Sequence, residues 1–142
     1  MKKGVDYIGV AVVFLCHDGK GNYLVSKRSQ NCRDEKGRWD CGSGGIEHGE
    51  LLEETLRREI KEEYGADVLS SEFLGCREVH RESENGKTHW FSFDFRVQVD
   101  PSTVRIAEPE MIDELRWVAI ADIPEPMHSQ LPFFLEKYKG KW

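Results

Sequence analysis

The stretch GELLEETLRREIKEEYG, residues 49–65, holds the densest run of carboxylates in the chain, and its periodicity decides how the rest is read. Leu52, Leu56 and Ile60 recur at intervals of four, which predicts a helix over 49–64 with one apolar stripe. Gly65 suits the left-handed residue that ends many helices. On a wheel of about 100° per residue, Glu53, Glu54, Arg57 and Lys61 fall opposite the stripe, where a solvated face belongs. Glu59 and Glu63 do not. They share the side of Leu52 and Leu56, and Glu62 lies at its edge.

Carboxylates gathered on a buried flank raise one another's pKa and destabilise the fold. Glu62 and Glu63 also sit in the last turn, where exposed carbonyls already carry partial negative charge. A divalent cation offsets both costs, since Mg²⁺ prefers hard carboxylate oxygens and keeps waters that phosphates can replace. Side chains three and four residues apart converge, so Glu59, Glu62 and Glu63 are candidate ligands. Arg58 stands beside them, able to hold one carboxylate through a charge-assisted pair. Just upstream, Gly42-Ser43-Gly44-Gly45 permits close backbone approach to a metal or a phosphate.

Around this centre the 142 residues read as one domain over 1–142, with 39% hydrophobic and 32% charged residues. Strands are expected over 7–16 and 23–27, joined by a turn, and a glycine-rich loop over 30–45. Two longer strands, 67–81 and 88–99, flank a turn at Glu84-Asn85-Gly86. A short strand over 115–120 and a final helix over 129–139 complete a mixed α/β chain. The apolar run 8–16 is too short to span a bilayer, and the first residues lack a signal-peptide pattern. Cys16, Cys32, Cys41 and Cys76 form no CxxC pair and fit reduced thiols in a cytoplasmic protein. A net charge of −6 argues against a nucleic-acid polymer as partner.

Gly44, five residues, Glu50, seven residues, and then Arg58-Glu59-Ile60-Lys61-Glu62-Glu63-Tyr64-Gly65-Ala66 resemble the Nudix box, G-x5-E-x7-R-E-U-x-E-E-x-G-U. Every charged and glycine position of the box matches. Ala66 is smaller than the usual aliphatic, and Cys41-Gly42-Ser43-Gly44 replaces the common proline and paired glycines. The resemblance implies a Nudix-type α/β/α sandwich with a mixed sheet, and Mg²⁺- or Mn²⁺-dependent hydrolysis of a phosphoanhydride in a nucleoside diphosphate linked to another moiety. It implies Glu59 and Glu63 as metal ligands, with Glu62 and the Ser43 carbonyl assisting. Arg58 would orient the carboxylates, Gly44, Glu50 and Gly65 would shape the box, and Glu47 would join the outer metal shell. A small nucleotide is the implied partner, without a membrane, and a homodimer is an assembly frequent in the family.

The expected reaction is in-line attack of water on phosphorus, with a general base outside the box. Glu108 and Glu110 are the first candidates for that base, and Glu82 and Glu84 the next. Arg28, Trp90 and Tyr7 are candidate substrate contacts, with Phe91 a further aromatic in reach. Glu82 stands where the ADP-ribose subgroup usually has a proline, which counts against that subgroup. The segment 24–29, with Arg33 and Gly37, partly resembles coenzyme A pyrophosphatases, and a MutT-like nucleoside triphosphate pyrophosphohydrolase is equally compatible. Two alternatives share the fold: an isopentenyl-diphosphate-isomerase-like enzyme and a non-catalytic nucleotide-sensing domain. The intact box disfavours both.

Overall fold

The strand β1 (Gly9–His17) sends Val12, Phe14 and Cys16 into one hydrophobic cluster and Leu15 into another. Both of its faces are therefore covered, which is why its sequence is an unbroken apolar run. The first cluster packs against the helix α1 (Leu52–Tyr64) through Leu56, Ile60 and Tyr64. The second packs against the helix α2 (Leu131–Lys137) through Leu131 and Phe134. A helix on each side of the sheet gives the expected α/β/α layering. The computed structural model describes all of residues 1–142.

The sheet contains β1, β2 (Tyr23–Arg28), β3 (Trp39–Asp40), β4 (Gly42–Gly45), β5 (Val68–Ser83), β6 (Gly86–Val99) and β7 (Ile112–Val118). Its main path runs β3-β2-β1-β6-β5, while β4 pairs with β1 and β7 with β2. The β1–β6 pair is parallel and every other pair antiparallel, so the sheet is mixed. The ladder between β1 and β2 is reduced to one register pair, His17 with Tyr23. Beyond that point β2 leaves with β3 and β7, and β4 takes its place beside β1. That divergence brings β3 and β4 to the acidic helix.

The segment 30–45, expected to be a loop, holds both β3 and β4. Its glycines concealed the strands. At Gly42 a Cβ would stand 2.0 Å from the Phe14 ring, so the core ring occupies the space of the missing side chain. The strand expected over 115–120 starts earlier, at Ile112, and ends at Val118, with a single 3₁₀ turn at Ile120–Asp122. No helix is long and apolar enough to cross a membrane.

Candidate active site

The helix α1 places its charges as the wheel predicts. Glu53, Glu54, Arg57 and Lys61 are exposed, while Leu56 and Ile60 are buried. The residue before it, Leu51, is held by Glu54, whose carboxylate accepts from the Leu51 N–H at 3.2 Å. It ends at Gly65, with φ 63°, as the left-handed cap. The last turn is then closed by the following loop: Arg105 N–H donates to the Tyr64 carbonyl at 2.8 Å and Ala107 N–H to the Glu63 carbonyl at 3.1 Å. These bonds satisfy helix-terminal carbonyls and carry Glu108 over the acidic flank.

Arg58 organises that flank. Its Nε and Nη2 donate to the two oxygens of Glu50, both at 2.8 Å, and its Nη1 donates to Glu59 at 2.8 Å. A longer contact reaches Glu62 at 3.3 Å, and Nη2 also meets the Gly45 carbonyl at 3.2 Å. Glu50 in turn accepts from the Glu47 amide and the Thr55 hydroxyl. The Arg58 hydrogen bonds, aided by those two donors, hold its carboxyl down at about 2. One guanidinium thus ties the loop before the helix to the middle of the helix.

Glu59 and Glu63 face the opposite regime. Burial pushes the Glu59 carboxyl up, helped by Glu62 and Glu108 and opposed by Arg58. Burial raises Glu63 further, reinforced by Glu59, Glu108 and Asp40. Its Oε2 is sealed from solvent and has no hydrogen-bond partner. A buried acceptor of this kind is costly unless something positive meets it. Gly44 makes the arrangement possible, because a Cβ there would lie 1.9 Å from the Glu59 carboxyl carbon. Glu59, Glu63 and Glu108 line one cavity of about 220 Å³ with Ser43 and Asp40. These hard oxygen ligands around a partnerless carboxylate oxygen fit a divalent cation of the Mg²⁺ class, while the two thiols in the same wall are held as donors, Cys32 to the Met111 carbonyl and Cys41 protonated by burial.

The backbone of Ser43 points the same way. Ile46 N–H donates to the Val10 carbonyl at 3.0 Å, and the register pairs Val13 with Ser43. Antiparallel pairs alternate, so the Val13–Ser43 pair is one without mutual hydrogen bonds. The Ser43 amide therefore points away from β1, and its backbone offsets part of the rise of the Glu63 carboxyl. In a strand the carbonyl leaves by the same edge as the amide, so the Ser43 oxygen also points away from β1, and Ser43 stands in the wall of the cavity that Glu59 and Glu63 line.

A second cavity of about 290 Å³ adjoins the first and shares Arg28, Asp40, Cys41 and Ser43 with it. Trp90 and Phe134 give it apolar walls, and Arg77, Arg81 and His128 line it too. Arg77 is locked by Asp94, at 2.6 and 3.1 Å, and its guanidinium lies 5.2 Å from the centre of the Phe134 ring. Arg28 pairs with Asp34 at 3.0 Å. Glu35 accepts from the amide and hydroxyl of Ser129 and lies 2.9 Å from His128 Nε2, fastening the loop after β2 to the start of α2.

Of the residues singled out in the sequence, Glu59, Glu62, Glu63, Arg58, Glu50, Gly44, Ser43 and Glu108 meet around the acidic flank. Arg28 and Trp90 line the adjoining cavity. Glu110 is exposed, and its carbonyl, not its carboxylate, accepts from Ser29 and Asn31. Tyr7 lies elsewhere, in a surface depression with His80, Lys87 and His89. Glu47 is largely exposed and meets Lys3 at 3.5 Å. Glu82 and Glu84 line a further depression at the end of the β5–β6 hairpin, which meets the larger cavity at Asp34, Arg81, Trp90 and Gln130. Sequence reading missed Asp40, half-buried between the two cavities with its carboxyl raised by desolvation. Its only signal was the Trp-Asp pair ahead of the glycines.

The chain matches the NUDIX domain family over residues 7–138. It therefore belongs to the Nudix family, whose members typically hydrolyse nucleoside diphosphate derivatives. A nucleoside triphosphatase NudI from Salmonella arizonae is 44% identical over 52 residues, which is 37% of this chain and 37% of that relative. A MutT NUDIX hydrolase from Burkholderia pseudomallei superimposes with a TM-score of 0.78 at 26% identity, covering 92% of this chain and 98% of its own. A MutT protein from Methanosarcina mazei Go1 gives a TM-score of 0.76 at 25% identity, with 92% of each chain covered. The NUDIX domain of Shewanella oneidensis NrtR, complexed with ADP ribose, shares the fold at 17% identity, with a TM-score of 0.73 over 93% of this chain and 86% of its own.

Proposed function

We propose that this chain is a Mg²⁺- or Mn²⁺-dependent pyrophosphohydrolase that cleaves a phosphoanhydride bond of a nucleoside diphosphate derivative. The observation that carries this reading is Glu63 Oε2, buried without a partner among further carboxylates. Glu59 and Glu63 would hold the cation, with Glu62 and the Ser43 carbonyl completing the set. The bound ion would supply charge neutralisation on phosphate oxygens and a more acidic water.

The chain's own groups do the rest. Arg58 keeps Glu59 fixed through its anchor on Glu50, so the ligand set is preorganised. Glu108 is the general base: burial, Glu62 and Glu110 raise its carboxyl, so its conjugate acid is less strong than an ordinary one and it takes a proton more readily. Water attacks one phosphorus in line, its proton passes to Glu108, and the bond from that phosphorus to the bridging oxygen breaks. The nucleotide lies along the adjoining cavity, its base against Trp90 and its phosphates toward Arg28. Asp40, between the cavities, separates the base side from the acidic side.

The resemblance to a nucleoside triphosphatase over 52 residues supports nucleoside triphosphates as the first substrates to test. The test is a panel of nucleoside triphosphates, nucleoside diphosphate sugars and dinucleotides with Mg²⁺, with products identified by chromatography. Formation of a nucleoside monophosphate supports hydrolysis. Binding without turnover across the panel overturns it in favour of a sensing domain.

A further inference from the structure

The β5–β6 hairpin carries a second group of ligand atoms, on the face away from the cavities. Side chains alternate along a strand, so Glu78 and His80 share one face of β5. The register sets His80 directly opposite His89 of β6. The two imidazoles stack with centroids 4.0 Å apart and planes 28° apart. Glu78 Oε1 lies 3.1 Å from His89 Nε2 and 3.9 Å from His80 Nε2. One ligand atom from each of the three falls within 4.8 Å of the other two.

An ordinary carboxylate–histidine hydrogen bond accounts for His89 alone, because His80 is too far from Glu78 to make one. A metal ion would engage both once the two rings turn out of their stack, because an imidazole lone pair lies in its ring plane. In a tetrahedral zinc site, bonds of about 2.0–2.1 Å put neighbouring ligand atoms roughly 3.3 Å apart. The two observed separations bracket that value. We propose that Glu78, His80 and His89 form a second metal site that takes one Zn²⁺-class ion, with water in the fourth position. Two imidazoles and one carboxylate suit zinc, whereas the all-oxygen set on α1 suits magnesium. The two sites therefore select different ions.

The site has a structural consequence. Val79, Arg81 and Trp90 are chain neighbours of its ligands and line the larger cavity from the same strand pair. An ion bridging His80 to His89 clamps the two strands behind that wall.

The test is a zinc titration of the metal-stripped chain against a competing chelator, in saturating Mg²⁺ so that the α1 carboxylates are already filled. One equivalent is expected to bind, shifting the imidazole NMR signals of His80 and His89 but not those of His17, His48 and His128. His80→Ala and His89→Ala each weaken binding by about 100-fold, the upper end of what losing even an outer-shell partner costs. Glu78→Gln, which preserves size and exposure, weakens it too. Zinc affinity unchanged in all three variants, or a first equivalent that moves other histidines, overturns the site. Hydrolysis does not enter this readout, so its failure and the failure of the proposed activity are separate results.

Discussion

Glu63 is held in a state that costs stability, a cost that the proposed cation would offset. Its carboxyl, like that of Glu59, is raised above the ordinary value of 4.5, mainly by burial. The folded protein therefore keeps protons that the unfolded chain has released, and metal-free stability falls as pH rises above about 4.5. Glu50 acts in the opposite sense, since its carboxyl is held down at about 2 and its contribution is lost only in strong acid. In EDTA the melting temperature is expected to decline between weakly acid and alkaline pH, and Mg²⁺ should flatten the slope. Glu63→Gln removes one buried charge and should melt above wild type at pH 8 in EDTA, at about 2–4 °C per kcal/mol recovered. The same variant should lose Mg²⁺-dependent turnover by on the order of 10²–10³-fold. Glu108→Gln is expected to slow hydrolysis by about 10²-fold or more and to flatten the rise of kcat with pH.

At the scale of elements, the helix rests on two glycines for different reasons. Gly44 leaves room for the Glu59 carboxyl, so Gly44→Ala should retain the fold while activity drops, as circular dichroism and a turnover assay would show. Gly65 adopts φ 63°, and a Cβ there would also come within 2.9 Å of Arg105. Gly65→Ala is expected to cost about 1–2 kcal/mol in urea denaturation, the penalty of a left-handed residue with a side chain. The helix and the facing of its glutamates were legible in the sequence because a period of 3.6 residues, applied to Leu52, Leu56 and Ile60, fixes where each glutamate points. The alternation of Phe93, Phe95, Val97 and Val99 likewise gave β6. The strands β3 and β4 were not legible. They are two and four residues long, and β4 is three-quarters glycine, so there is no side-chain alternation to read. Asp40 was hidden with them.

Across the whole molecule, the acidic cluster is contiguous in sequence and the larger cavity is not. Arg28, Arg77, Trp90, His128 and Phe134 come from separate segments, and only the divergence of β2 from β1 brings them to one space. No local pattern announces such a meeting, so the sequence marks Arg28 and Trp90 only singly, groups Tyr7 with them although it lies in another depression, and carries no sign of Arg77 or His128. The core that holds these segments apart is tight: Leu56 is fully buried between α1 and the sheet, and Leu56→Ala should cost about 2–5 kcal/mol. The most direct test of the acidic flank is a Mn²⁺ titration followed by the electron paramagnetic resonance of the free ion, on wild type, Glu59→Gln and Glu63→Gln. Wild type is predicted to deplete the free signal, and both variants to leave most of it standing. Equal depletion by all three proteins would contradict the assignment of Glu59 and Glu63 as the metal-holding pair.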